Sequence, residues 1–317
     1  MTDATGPTRR VGIDVGGTKA QGVALGADGT VIAKEQRPTP RGDGSLGQLI
    51  DTVAELAEAL DVGDSLGVGV PGLVTRRGVL RAAPNLDGVA DFDVAGELAE
   101  RLGRRVVVDN DATCATLAEW QLGVGRGVQS MVLVTLGTGI GGGLVANGAV
   151  QHGVNGFAGE FGHMVVDPHG PRCPCGRRGC WERYASGSGL AMLAREAATG
   201  RRLHNVVRHA GGDAQAVRGE HVQAAAREGD PEALSVIDDF GRWVALGLAN
   251  LTNALDPEMF VLGGGLAAGA DLYLDPIVRW FGELLYQAEL RPVPRVEFAR
   301  WGPLAGAVGA ALLPAEP

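Results

Sequence analysis

The stretch from Gly159 to Glu182 constrains this chain more than any other, because it places His163, Cys173, Cys175 and Cys180 in one turn-rich segment. Their spacing lets one imidazole and three thiolates close on a single ion, a ligand set that suits tetrahedral zinc. Gly176 and Gly179 bracket the turn that must fold Cys180 back onto the first two thiols, and glycine enters such backbone conformations at little cost. A disulfide or inert thiols are the competing readings; the ligand count and an N-terminus, MTDATGPTRR, without a signal-peptide core weigh against them. Four protein ligands leave no position for a metal-bound water. Zinc here would organise residues and not activate a nucleophile.

The remainder of the chain has to supply whatever that segment serves. With 317 residues, 45% hydrophobic and 21% charged, it is long enough for two domains, each with its own core, and has a globular enzyme's composition. A net charge of −9 leaves no basic field for nucleic acid, so a phosphate site must be built locally. No run approaches the roughly twenty apolar residues of a membrane span. These properties predict a cytoplasmic protein that binds neither nucleic acid nor membrane, with Cys114 as a buried small apolar residue.

Two hairpins organise the chain. Val11 to Val15, the turn Gly16-Gly17 and Ala20 to Leu25 form the first; Met131 to Leu136, Gly137-Thr138-Gly139 and a strand through Leu144-Val145 form the second. Between them the pattern predicts a strand at Val31 to Ala33 and a helix from Leu46 to Leu60, opened by a Ser45/Gln48 capping box. A strand at Leu66 to Val70, a helix at Val94 to Leu102 stopped by Gly103, a strand at Arg105 to Val108 and a helix at Ala112 to Leu122 follow. Later come a long helix capped by Asp230, strands at Met259 to Leu262 and Val296 to Ala299, and a small-residue helix at Pro303 to Leu313 packed back on the first domain. The recurring hairpin predicts two α/β domains facing one another across a cleft. The expected division is residues 1–110 plus 301–317 against 111–300, with hinges near Asp111 and Arg300. The first ten or so residues are expected to be disordered.

Asp14-x-Gly-Gly17-Thr18-Lys19, Leu136-Gly-Thr138-Gly139 and Val261-Leu-Gly-Gly264-Gly265 are each weak signals, since glycines in a hairpin most often only turn the chain. Together, in this order, they are specific. Backbone N–H groups in such turns can approach phosphate oxygens, and Asp14 would act on Mg2+ to neutralise triphosphate charge. Neither the Walker A pattern nor the Rossmann fingerprint is met. Asp109 reads as the N-cap of the next helix; Asn85 reads as a turn residue. His152, His169, His204, His209 and His221 read as surface residues, and the pairs Arg177-Arg178 and Arg201-Arg202 as solvated charge.

The three glycine motifs resemble the two phosphate loops and the adenosine motif of the actin, hexokinase and Hsp70 ATPase fold. Gly159-Glu160-Phe161-Gly162-His163, followed by Cys-x-Cys-Gly-x-x-Gly-Cys-x-Glu, resembles the zinc-bearing sugar kinases of the ROK family, and the likeness runs from about Val11 to the C-terminus. That resemblance implies an ATP-dependent kinase for the 6-hydroxyl of a hexose, glucose first, with other hexoses or N-acetylmannosamine as alternatives. It also implies a homodimer or homotetramer. Asn110-Asp111-Ala112 matches the family's Asn-Asp-Ala, so Asp111 carries over as the catalytic base and Asn110 as a hydroxyl contact. Glu160 and Glu182 carry over as sugar contacts assisted by His163, and Gly72 as a loop whose backbone touches the sugar. Thr18, Lys19, Thr138 and Gly139 are the expected phosphate contacts, and Gly264 the residue that lets adenosine lie close. A sugar-sensing regulator is the rival from another class, disfavoured because only thirteen residues precede Asp14.

Overall fold

Alternating apolar residues make Arg10–Val15 (β1) and Lys19–Leu25 (β2) an antiparallel hairpin, with Val11, Ile13, Val15 and Val23 buried. The computed structural model describes residues 9–42, 44–83, 89–200 and 203–315. Asn85, Arg201-Arg202 and residues 1–8 of the N-terminal stretch lie outside the described residues. The chain divides into two compact units, one of Met1–Gln129, Gly143–Gly159 and Arg300–Pro317, the other of Ser130–Gly142 and Glu160–Ala299.

In the first unit Val31–Pro38 (β3) extends the hairpin well beyond the expected three residues. Ser45–Ala59 (α1) buries the expected stripe of Leu49, Val53 and Leu56. Its capping box does not form. Gly44 takes the N-cap in the left-handed region at φ 76°, so Ser45 becomes the first helical residue and has no capping bond to give. Ser65–Val70 (β4) is followed by a small sheet of Leu73–Val74 (β5), Val79–Ala82 (β6) and Phe92–Asp93 (β7). Val94–Leu102 (α2) stops at Gly103 as expected, in the left-handed region at φ 63°. Arg105–Asn110 (β8) completes a sheet ordered β3-β2-β1-β4-β8 and runs directly into Asp111–Leu122 (α3).

The second unit opens with Met131–Leu136 (β9). Ile140–Ala146 (β10) pairs with it and passes into the first unit at Gly143, where Ala149–Val150 (β11) pairs with its end. Beyond the cysteine segment lie Glu182–Ala185 (α4), Gly187–Thr199 (α5), His204–His209 (α6) and Gly219–Arg227 (α7). Pro231–Leu255 (α8) starts as expected, Asp230 accepting from the Ala233 N–H at 2.8 Å. Met259–Gly263 (β12) lies parallel to β9 and to Arg295–Phe298 (β13), with Ala270–Leu284 (α9) between the two in sequence.

Ala305–Ala310 (α10) returns to the first unit and explains its own composition. A Cβ on Gly12 of β1 or Gly67 of β4 would run into the α10 backbone or the residue after it, and one on Gly309 into the Cys114 carbonyl. Only small residues let helix and sheet approach this closely. Cys114 is fully buried in that contact, as its Ala-rich surroundings predict. Among the described residues no helix is long and apolar enough to cross a membrane.

Candidate active site

In the first unit the β1–β2 turn is closed by the Gly16 N–H donating to the Lys19 carbonyl at 3.0 Å. The Thr39 hydroxyl and the Arg41 guanidinium donate to the Gly16 and Gly17 carbonyls, each at 2.7 Å, so the turn is held from the side. Thr18 and Lys19 remain exposed at its tip, Lys19 donating to Gln36 at 3.3 Å. Asp14, just before the turn, occupies the space left by a glycine of α10: a Cβ on Gly306 would collide with its carboxyl group. Its Oδ1 is buried without a hydrogen-bond partner. Burial, with the Asp111 charge adding and Lys19 opposing, pushes the Asp14 carboxyl up to about 8. An orphaned carboxylate oxygen in such a place is costly, and a divalent cation would remove the cost. The residue therefore fits Mg2+.

At the end of β8 the roles differ from those expected. Asn110, not Asp109, caps α3, its Oδ1 accepting from the Ala112 and Thr113 N–H groups at 2.8 and 3.1 Å. Asp109 is still in the strand and cannot reach the helix's free amides. Its carboxylate accepts instead from the Asn110 N–H at 2.7 Å and pairs with His152 Nε2 at 2.7 Å. His152 is thus not a plain surface residue. Asn110 Nδ2 donates to the Gly72 carbonyl at 3.0 Å, and Gly72 itself, at φ 106°, lies so close to the Ala82 carbonyl that no Cβ would fit. Asp111 begins α3, where its carboxylate sits at the positive end of the helix.

In the second unit one ligand atom from each of His163, Cys173, Cys175 and Cys180 lies within 4.8 Å of all the others. All four cysteines of the chain are free thiols. His163 turns Nδ1 toward Cys173 Sγ at 3.9 Å, while its Nε2 lies 3.8 Å from Glu160 Oε2. One ring nitrogen can thus serve an ion and the other a substrate hydroxyl. Both bracketing glycines take positive φ, 89° at Gly176 and 63° at Gly179, and a Cβ on Gly179 would strike the Asp167 backbone. Trp181, fully buried, fixes the segment to α8: its Nε1 donates to the Trp243 carbonyl at 2.7 Å, and Gly247 leaves room for its ring. The donor set and its dimensions fit zinc.

Burial raises the Glu160 carboxyl, opposed by His163 and reinforced by the Glu182 charge. Glu182 accepts from the Ile140 N–H at 3.0 Å, and Gly139 leaves the space its carboxylate fills. The β9–β10 turn is closed by the Gly137 N–H donating to the Gly139 carbonyl at 3.0 Å. The start of α5 is tied to it: the Gly187 N–H donates to the Gly137 carbonyl and the Ser188 hydroxyl to the Thr138 carbonyl, both at 2.8 Å. A helix N-terminus beside a glycine turn is a ready anion site. Thr138 and Gly137 line a cavity of about 760 Å3 with Arg183, Ser188, Gln223 and Gly265. Gly264 does not line it. At φ 81° that glycine presses on the Leu136 backbone, and Gly265 is the one facing open space. Arg183 and Gln223 carry no motif of their own, and Gly265 stands in the glycine run beside Gly264 with nothing in the sequence to tell the two apart.

The family model described as the ROK family matches residues 10–316. The chain belongs to the ROK family. It is 37% identical over 313 residues to a glucokinase of Streptomyces coelicolor, covering 97% of this chain and 98% of that one. It is also 37% identical over 317 residues to an N-acetyl-D-glucosamine kinase of Pectobacterium atrosepticum, covering 95% and 97%. Among solved structures it is similar to a ROK family glucokinase from Streptomyces griseus in complex with glucose and AMPPNP, with a TM-score of 0.85 and 34% identity over 97% of this chain and 100% of that one. The α/β ATPase-like architecture expected from the glycine motifs is thus that of a ROK kinase.

Proposed function

We propose that the chain is an ATP-dependent kinase that transfers the γ-phosphoryl group to the 6-hydroxyl of glucose. The observation that carries the reading is the pair of acids in the first unit: Asp14, with a buried oxygen that lacks a donor, and Asp111, near enough to raise it. One suits a cation on the nucleotide phosphates and the other a proton acceptor. Asp111 takes the proton of the attacking hydroxyl as its oxygen bonds to the γ-phosphorus, while the bond from that phosphorus to the β–γ bridging oxygen breaks and ADP leaves. Asn110 has one amide N–H committed to Gly72 and can give the other to a sugar hydroxyl. Glu160, Glu182 and His163 hold further hydroxyls, and the Gly72 loop bounds the sugar. Gly17, Thr18 and Lys19, with Thr138 and Gly139, receive the phosphates, and the cavity beside Gly265 receives the nucleoside. Bound Mg2+, held through Asp14, supplies charge neutralisation. Zinc in the three-cysteine, one-histidine set keeps His163 and Glu182 in place. Four free thiols suit the reducing cytoplasm.

N-acetylglucosamine is the second reading, favoured by a relative at the same 37% identity. A panel of glucose, mannose, fructose, N-acetylglucosamine and N-acetylmannosamine with MgATP, scored by kcat/KM, decides between them. Glucose is expected to rank first. Phosphorylation of none of them would overturn the proposal.

A further inference from the structure

The bond between Asp109 and His152 has no part in the chemistry above, yet it sits one residue from Asn110 and two from Asp111. Both oxygens of Asp109 are committed: Oδ1 accepts from the Asn110 N–H and Oδ2 pairs with His152 Nε2, each at 2.7 Å. The residue is 7% exposed, so water cannot replace a lost partner cheaply. His152 belongs to the loop that leads from β11 toward Glu160. That loop is pinned at two further points. The His152 carbonyl accepts from the Ala158 N–H at 3.1 Å, and Gly156, at φ 97°, lies against the Val74 carbonyl where no Cβ would fit.

A helix cap alone does not need this arrangement. Asn110 already satisfies the first amides of α3, and α3 packs against α10. What the pair adds is a side-chain restraint on the peptide between Asp109 and Asn110, at the last step of β8 and directly before Asp111. A carboxylate holding the Asn110 N–H from below, itself held by an imidazole, fixes the rotation of that peptide. The rotation sets where Asn110 and Asp111 point.

We infer that His152 and Asp109 are a positioning pair for the phosphoryl-transfer step, acting through the backbone of Asn110 and the carboxylate of Asp111. This inference rests on Asp111 being the base. His152→Ala is expected to lower kcat roughly 10- to 100-fold through misplacement of the base, with a much smaller change in the KM for ATP. His152→Gln, whose amide N–H can still donate to the carboxylate, is expected to recover most of that loss. The double variant Asp109→Ala/His152→Ala should be no slower than Asp109→Ala, since the histidine acts only through the acid.

Steady-state rates for these variants and for Asp111→Asn, each checked for its unfolding midpoint, make the test. Wild-type kcat in His152→Ala, or equal impairment in His152→Ala and His152→Gln, would overturn the pair while a dead Asp111→Asn leaves the base assignment standing. An active Asp111→Asn would instead remove the base, and the pair's role with it.

Discussion

Two hairpin turns built from the same glycine chemistry have acidic neighbours in opposite states. Beside the β1–β2 turn, Asp14 keeps a buried oxygen without a donor and its carboxyl is pushed up to about 8. Beside the β9–β10 turn, Glu182 takes the Ile140 N–H in a space that Gly139 leaves for it. A satisfied carboxylate is a positioning element; an unsatisfied buried one awaits a cation. On the proposed function, the difference suits a cation beside the first turn and a sugar hydroxyl beside the second.

The largest effect should come from removing the unsatisfied acid. Asp14→Asn keeps the shape but loses the charge that would hold Mg2+, and turnover with MgATP should fall roughly 10²- to 10³-fold while hexose binding by calorimetry persists. Near-normal turnover would place the cation elsewhere. Next, Cys175→Ser should take zinc from about one per chain toward none by metal analysis, and raise the glucose KM about tenfold as His163 and Glu182 lose their setting. An unchanged KM in a zinc-depleted variant would make the metal irrelevant to the sugar. Gly265→Val should raise the KM for ATP about tenfold, because the side chain would enter the cavity. Gly264→Val should instead lower the unfolding midpoint, and a reversed pair of outcomes would return the nucleotide contact to Gly264. The smallest change is expected from Glu182→Gln, which keeps an oxygen for the Ile140 N–H. Its stability should stay within about 0.5 kcal/mol of wild type, and a larger loss would mean that the charge itself holds the second turn together.

Much of this was legible in the sequence because the signals were local. Hairpin strands alternate, the long helix announces itself with Asp230-Pro231, and Gly103 marks a helix end. The cluster of His163, Cys173, Cys175 and Cys180 was legible from spacing, and the structure gathers all four. What escaped depended on partners distant in sequence. Asp109 has the residue type of an N-cap, but the strand runs two residues further than its apolar pattern suggests, and the cap passes to Asn110. Nothing near His152 announces a bond to a residue forty-three positions earlier. Gly264 and Gly265 are indistinguishable as letters, and only the fold shows that the first packs on the Leu136 backbone while the second faces open space. Ser45 and Gln48 spell a capping box that a left-handed Gly44 makes unnecessary.

The unsatisfied state of Asp14 leaves a mark on protein stability that can be read without nucleotide or added magnesium. A carboxyl whose folded value is about 8, against 3.8 as a free side chain, binds its proton more tightly in the native state. Its contribution to stability is therefore complete below the unfolded value and is lost as pH rises through the folded one. Unfolding free energies of the wild type and Asp14→Asn, measured in parallel from about pH 4 to pH 9, isolate this group by difference. Wild type is expected to lose stability relative to Asp14→Asn as pH rises toward 8, and the difference should then level off. A difference that stays flat across the range, or that grows in favour of wild type, would contradict that expectation.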